Sequence, residues 1–140
     1  MVRLVAADEA ARDALATALI GALARRGRAV SVLSRVAPDL ELDRPGKDSH
    51  RHRAAGARDV AVISAARYAV IHEARPSERE PDLTFLLARM RPVDVVLALG
   101  FDAPEFDAVE VRDDALQLSS GHRFARDDLN GLAACLADAS

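Results

Sequence analysis

Short apolar runs alternate along this chain with stretches of helical periodicity. Residues 2–6 form an apolar run that reads as a buried strand. A long helix is expected over 9–26, with Leu15, Leu19, Ala22 and Leu23 recurring at helical spacing and Arg12, Asp13 and Arg25 facing out. Gly27 stops it, and residues 29–33 form a second apolar, β-branched strand. A strand–helix–strand order predicts a parallel pair joined by a right-handed crossover.

Residues 34–42 are harder to assign, and the alternation Leu40-Glu41-Leu42 predicts a short strand. Two further strands are expected over 59–64 and 68–73, separated by a proline-containing polar loop from a helix over 82–90. That helix places Leu83, Leu86, Leu87 and Met90 on one side. The most hydrophobic run, 93–99, predicts a central strand covered on both faces and ending at Gly100. Strands over 109–112 and 116–118 follow, and Asp127 or Asp128 caps a last helix through 136. The class is α/β with a mostly parallel sheet, in a single domain over 1–140. Ligands of such sheets lie beyond the carboxyl ends of the strands, so the loops after Ala6, Leu33 and Leu99 are candidate sites.

Composition narrows the function classes. A formal charge of −3 argues against a nucleic-acid binder. The single cysteine, Cys135, rules out an intrachain disulfide and a cysteine metal cluster, and lies in an apolar helical run. No leader precedes the first strand and no apolar run reaches membrane-spanning length, so a cytoplasmic setting without membrane contact is expected.

The densest chemistry lies in residues 43–57. Pro45-Gly46 fits the centre of a type II turn, and Asp48 or Ser49 is suited to cap a short helix that Gly56 ends. Arg44, Lys47 (the only lysine of the chain), Arg51 and Arg53 gather cations at that turn. Beside a helix N-terminus they suit a phosphate. The competing reading is a charged turn that caps a surface helix. His50 and His52 are two apart, about 200° around a helix, so they do not form a metal pair. Asp48 and His52, four apart, suit a surface pair. Ser119-Ser120-Gly121-His122 has no accompanying acid or oxyanion motif and reads as a turn.

The run Asp-Arg-Pro-Gly-Lys-Asp-Ser-x-Arg-His-Arg-x-Ala-Gly-Ala over 43–57 resembles the signature of the molybdopterin-guanine dinucleotide biosynthesis adapter (MobB) family. The order of elements resembles that family along essentially the whole chain. The resemblance implies a P-loop NTPase-like three-layer sandwich with a mostly parallel central sheet. Family members bind and weakly hydrolyse GTP, form dimers and assist the guanylyltransferase that attaches GMP to molybdopterin. Carried onto this chain, it marks Asp43, Arg44, Pro45, Gly46, Lys47, Asp48, Ser49, Arg51 and His52 as a ligand site.

The first loop departs from the family. A P-loop of the form G-x-x-x-x-G-K-[ST] aligns with residues 6–13. Here Ala6 and Ala11 replace the glycines, Asp8 and Glu9 add negative charge, Arg12 replaces the lysine and Asp13 replaces the Mg²⁺-binding hydroxyl. The family's Lys-His after the second strand becomes Ser34-Arg35, and its acidic residue before Gly-Phe becomes Leu99. The resemblance with these losses implies a non-enzymatic adapter in molybdenum cofactor maturation. Its expected ligand is molybdopterin guanine dinucleotide or GTP, with GTP binding by the usual route lost or severely weakened and Mg²⁺ binding disfavoured. Its expected partners are a second copy or a homologue, a guanylyltransferase or a client molybdoenzyme. The alternatives are a weak GTPase using Arg12 and Asp13, and an assembly subunit that pairs with an intact homologue.

Overall fold

The computed structural model describes residues 1–139. In chain order the elements are β1 (Val2–Val5), α1 (Glu9–Arg25), β2 (Val30–Ser34), α2 (Asp48–Ala54), β3 (Asp59–Ile63) and β4 (Tyr68–His72). They continue with α3 (Leu83–Leu87), β5 (Val95–Leu99), β6 (Ala108–Val111), β7 (Ala115–Leu118), β8 (Arg123–Ala125) and α4 (Leu129–Asp138). They divide between two compact units, one from Met1–Val36 with the chain from Pro92 onward, the other Ala37–Arg91.

The first unit is an α/β structure around a six-stranded sheet ordered β2-β5-β1-β6-β7-β8. The strands β2, β5, β1 and β6 run parallel, while β7 and β8 close one edge antiparallel. Leu15, Leu19, Ala22 and Leu23 of α1 are buried together with Leu132 and Ala133 of α4, Leu4 of β1 and Leu97 and Leu99 of β5. The α1 face matches the helical spacing read from the sequence. Asp8 and Asp128 cap α1 and α4, accepting from Ala11 N at 2.7 Å and Gly131 N at 2.9 Å.

Two details of this unit's topology differ from the sequence expectation. β1 and β2 are parallel but not paired, because β5 lies between them. Both edges and nearly every side chain of β5 are buried, so the most apolar strand takes the interior place. β8 was not anticipated; its three residues carry one half-buried apolar side chain, Phe124, and its pairing with β7 supplies the rest.

The second unit holds α2, the antiparallel β3–β4 ribbon and α3. Residues 40–42 form no strand; Leu40 and Leu42 are exposed and Leu40 N closes a turn onto Ala37 O. α3 is shorter than its periodicity suggested. Asp82 caps it through Phe85 N at 2.8 Å, and after Leu87 the chain passes into turns that hold Arg89 and Met90. Pro92 disfavours helical geometry at the residue before it, which limits extension. No helix among the described residues is long and apolar enough to cross a membrane.

Candidate functional site

Residues 43–57 build a tight turn followed by one short helix. Lys47 N donates to Arg44 O at 3.2 Å and Gly46 has φ 86°, the geometry of a type II turn. The N-cap of α2 is Lys47, whose backbone is extended and whose side chain makes no cap bond. Asp48 and Ser49 therefore lie inside the helix rather than capping it. Each has another partner. Asp48 pairs with Arg51, three residues on, instead of with His52. The Ser49 hydroxyl bonds the Asp43 carboxylate and holds its pKa below the ordinary value, against the opposing effect of burial. The Arg44 N–H and the charges of Arg53 and Lys47 act in the same direction as Ser49. Arg51 also donates to Gly46 O at 2.7 Å, which ties the helix back onto the turn. Gly56, with φ 113°, ends the helix as expected.

The nine positions chosen from the sequence thus separate into two sets. Asp43, Ser49, Asp48 and Arg51 bond to one another or to the turn, with Pro45 and Gly46 forming its corner. Arg44, Lys47 and His52 lie exposed, and among the described residues neither Arg44 nor Lys47 is in an ion pair.

Arg53 was counted in the basic cluster but not chosen as a site residue. Its side chain is only 12% exposed, pairs with Glu73, and has Glu41 and Asp43 oxygens at 3.7 and 3.9 Å. Its Nε and one terminal nitrogen are buried without hydrogen-bond partners, as is Asp43 Oδ2. Glu41, His50, Arg53, Ala54 and Glu73 line a cavity of about 230 Å3. Glu73 is twenty residues away on the exit of β4, so only the fold could reveal this cluster. Among the described residues no group of histidine, cysteine and carboxylates is arranged to hold a metal ion.

The three strand exits expected to face a ligand do converge in the first unit. Glu9, Arg12, Asp13, Ser34, Arg35, Val36 and Leu99 line a cavity of about 180 Å3 at the carboxyl ends of β1, β2 and β5. α1 already begins at Glu9, so Ala11, Arg12 and Asp13 are helical. Asp8 accepts from Ala11 N, and Arg12 N donates to Asp8 O at 3.2 Å. Ala6 precedes the cap, and among the described residues only glycines have positive φ. The N–H groups of Ala11 and Arg12 are thus bonded to Asp8, whose carboxylate lies at the N-terminus of α1. Gly100 packs the exits together: an added Cβ would meet Arg35 O at 2.8 Å.

Ser120 Oγ lies 3.1 Å from His122 Nδ1 on the exposed β7–β8 turn, beside Gly121 at φ 97°. This agrees with the reading of that tetrapeptide as a turn.

Residues 1–134 match the family model described as "Molybdopterin guanine dinucleotide synthesis protein B". Over 107 residues the chain is 37% identical to the molybdopterin-guanine dinucleotide biosynthesis adapter protein of Escherichia coli K12. That match spans 75% of this chain and 58% of the relative, less than two thirds of its length. A crystal structure of molybdopterin-guanine biosynthesis protein B superposes with TM-score 0.68 at 23% identity, covering 99% of this chain and 97% of that one. A Bacillus subtilis MobB structure superposes with TM-score 0.61 at 24% identity, covering 81% and 68%. At those identities the structures establish the shared fold.

Proposed function

Because this chain belongs to the molybdopterin guanine dinucleotide synthesis protein B family, we propose that it is a non-catalytic adapter in molybdenum cofactor biosynthesis. It holds an anionic pterin nucleotide, or the partner enzyme that carries one, at the turn Arg44–Lys47. One observation carries this reading. Asp43 and Asp48, the carboxylates beside the turn, are engaged by Ser49 and Arg51, while Arg44 and Lys47 project unpaired. Two cations on a backbone fixed by its own hydrogen bonds suit a phosphate at little ordering cost. The guanylyltransferase and a client molybdoenzyme are the partners that this role calls for.

The double variant Arg44→Ala/Lys47→Ala is expected to keep the native melting temperature within about 2 °C, since both side chains are exposed. Its affinity for molybdopterin guanine dinucleotide should fall about tenfold or more, one charge-assisted hydrogen bond being worth about 1.5–3 kcal/mol. Equal affinity before and after the change would remove the turn from the function.

GTP with Mg²⁺ does not fit the residues at the strand exits. Asp8 fills the helix terminus, alanines stand where glycines are needed, and Leu99 brings no carboxylate to the cavity. We therefore take the nucleotide loop to be degenerate.

We also propose that a second copy of the chain pairs through the β3–β4 ribbon. A two-stranded ribbon is marginal in water on its own, and its outer edges are templates for pairing. Ile63, Tyr68 and Val70 share one face in the register Ile63↔Tyr68 and Ala61↔Val70, and are 82%, 69% and 63% exposed. Sedimentation of the wild type should show a dimer that Ile63→Asp/Val70→Asp converts to monomer. A monomeric wild type, or a variant that stays dimeric, rules out this surface.

A further inference from the structure

His72 ends β4 opposite Asp59, with which it is paired in the β3–β4 register. Its Nδ1 lies 2.6 Å from Asp59 Oδ1, and its Nε2 lies 2.7 Å from Glu78 Oε2. Both neighbours are carboxylates, which only accept. A neutral imidazole has one N–H and one lone pair, so it satisfies one of these contacts and points its lone pair at the other carboxylate. Both contacts form together only on the imidazolium.

Glu78 lies on the loop that follows β4. Its other oxygen accepts from Arg58 at 3.1 Å, immediately before β3. The loop is closed locally by Glu78 N onto Arg75 O, and its start is tied by Glu73 N onto Arg58 O at 2.8 Å. The charged groups around His72 are thus Asp59 from β3, Glu78 from the loop and Arg58, which shares Glu78; neighbouring Glu73 is paired with Arg53 of α2. None of the chemistry assigned above uses this cluster.

We infer that protonated His72 is a pH-operated clasp that fastens the loop carrying Glu78 to the root of the β3–β4 ribbon and lets it go when the imidazole becomes neutral. The hydrogen bond from Glu78, followed by that from Asp59, raises the pKa of His72 above its ordinary value, while burial opposes them. The reciprocal bond from His72 lowers that of Glu78. The sign follows from linkage. A histidine whose folded pKa is raised contributes fully below its unfolded value, about 6.5, and the contribution disappears as pH rises through the raised folded value. The clasp is closed in mildly acidic solution and opens on the alkaline side. Each group is partly exposed, so the effect is local to the loop, not global. The inference rests on the ribbon and its loop alone and is independent of any ligand or partner.

The test is a histidine titration by NMR alongside amide hydrogen exchange, with exchange normalised to the intrinsic rate at each pH. In the wild type, His72 is expected to titrate above the ordinary histidine range. Protection of the amides near Glu78 should fall as pH rises from about 6.5 to that midpoint, by about tenfold for each unit that the midpoint stands above 6.5. Glu78→Gln should lower the His72 midpoint and leave loop protection independent of pH. The signal of Tyr68, the only tyrosine in a chain without tryptophan, checks that the ribbon stays formed. A wild-type loop equally protected below about pH 6.5 and above the His72 midpoint overturns the clasp. So does a midpoint unmoved by Glu78→Gln.

Discussion

Gly100→Ala is expected to destabilise the protein by about 2–3 kcal/mol, and Gly100→Val by more. Two costs add at this position. The first is conformational: φ is 80°, where an L side chain is strained by about 1–2 kcal/mol. The second is contact: the new Cβ would lie 2.8 Å from the carbonyl oxygen of Arg35, a backbone atom that cannot rotate away. Arg35 is also held by its own N–H to Leu99 O at 2.9 Å, so the exits of β2 and β5 would have to separate. Gly27 is the control. It has φ 72° but nothing within 4 Å of its ideal Cβ, so Gly27→Ala carries the conformational cost alone, about 1 kcal/mol after the gain from a stiffer unfolded chain. Urea denaturation of the two variants separates the terms. Equal losses would mean that the close approach to Arg35 is relieved by a backbone shift. A larger loss at Gly100 establishes that this glycine fixes the spacing of the strand exits.

That position also marks where sequence reading stops. Gly100 was legible as the end of an apolar strand, because the run before it is continuous and the residue is glycine. That its small size keeps β5 against the turn after β2 was not, because the order β2-β5-β1 inserts a later strand between two earlier ones. Local patterning placed α1, β5 and α4, whose apolar residues recur at helical spacing or form unbroken runs. It overextended α3, where four apolar residues at helical spacing suggested more turns than form. The type II turn at Pro45-Gly46 was readable because those two residues restrict the backbone so tightly. The partners of Asp48 and Arg53 were not, since a helix surface offers several acceptors and Glu73 arrives from a distant strand. The clasp at His72 lay hidden for the same reason. Residues 59, 72 and 78 carry no spacing signal and meet only through the ribbon register and its following loop.

Calorimetric titration with GTP and Mg²⁺ is expected to show no saturable binding at micromolar nucleotide, and the cause should lie in residues 6–13. Two explanations of such a result are separable. If the Asp8 carboxylate alone blocks the site, then Asp8→Ala should restore binding, at about 1 kcal/mol of stability for the lost N-cap. If the missing glycines matter, Asp8→Ala loses stability and gains nothing, because α1 still begins at Glu9 and its first N–H groups keep helical geometry. The geometry favours the second outcome: a phosphate cradle needs the chain to open before Ala11, and here it is already wound. The combined variant Ala6→Gly/Ala11→Gly/Arg12→Lys/Asp13→Ser should then acquire measurable GTP affinity, with some loss of helix stability from glycine in the first turn. Micromolar GTP affinity in the unaltered chain would overturn the degenerate loop. It would direct attention to Arg12, which lines the cavity with a buried, unpartnered Nε, and Arg12→Ala would then have to abolish the binding.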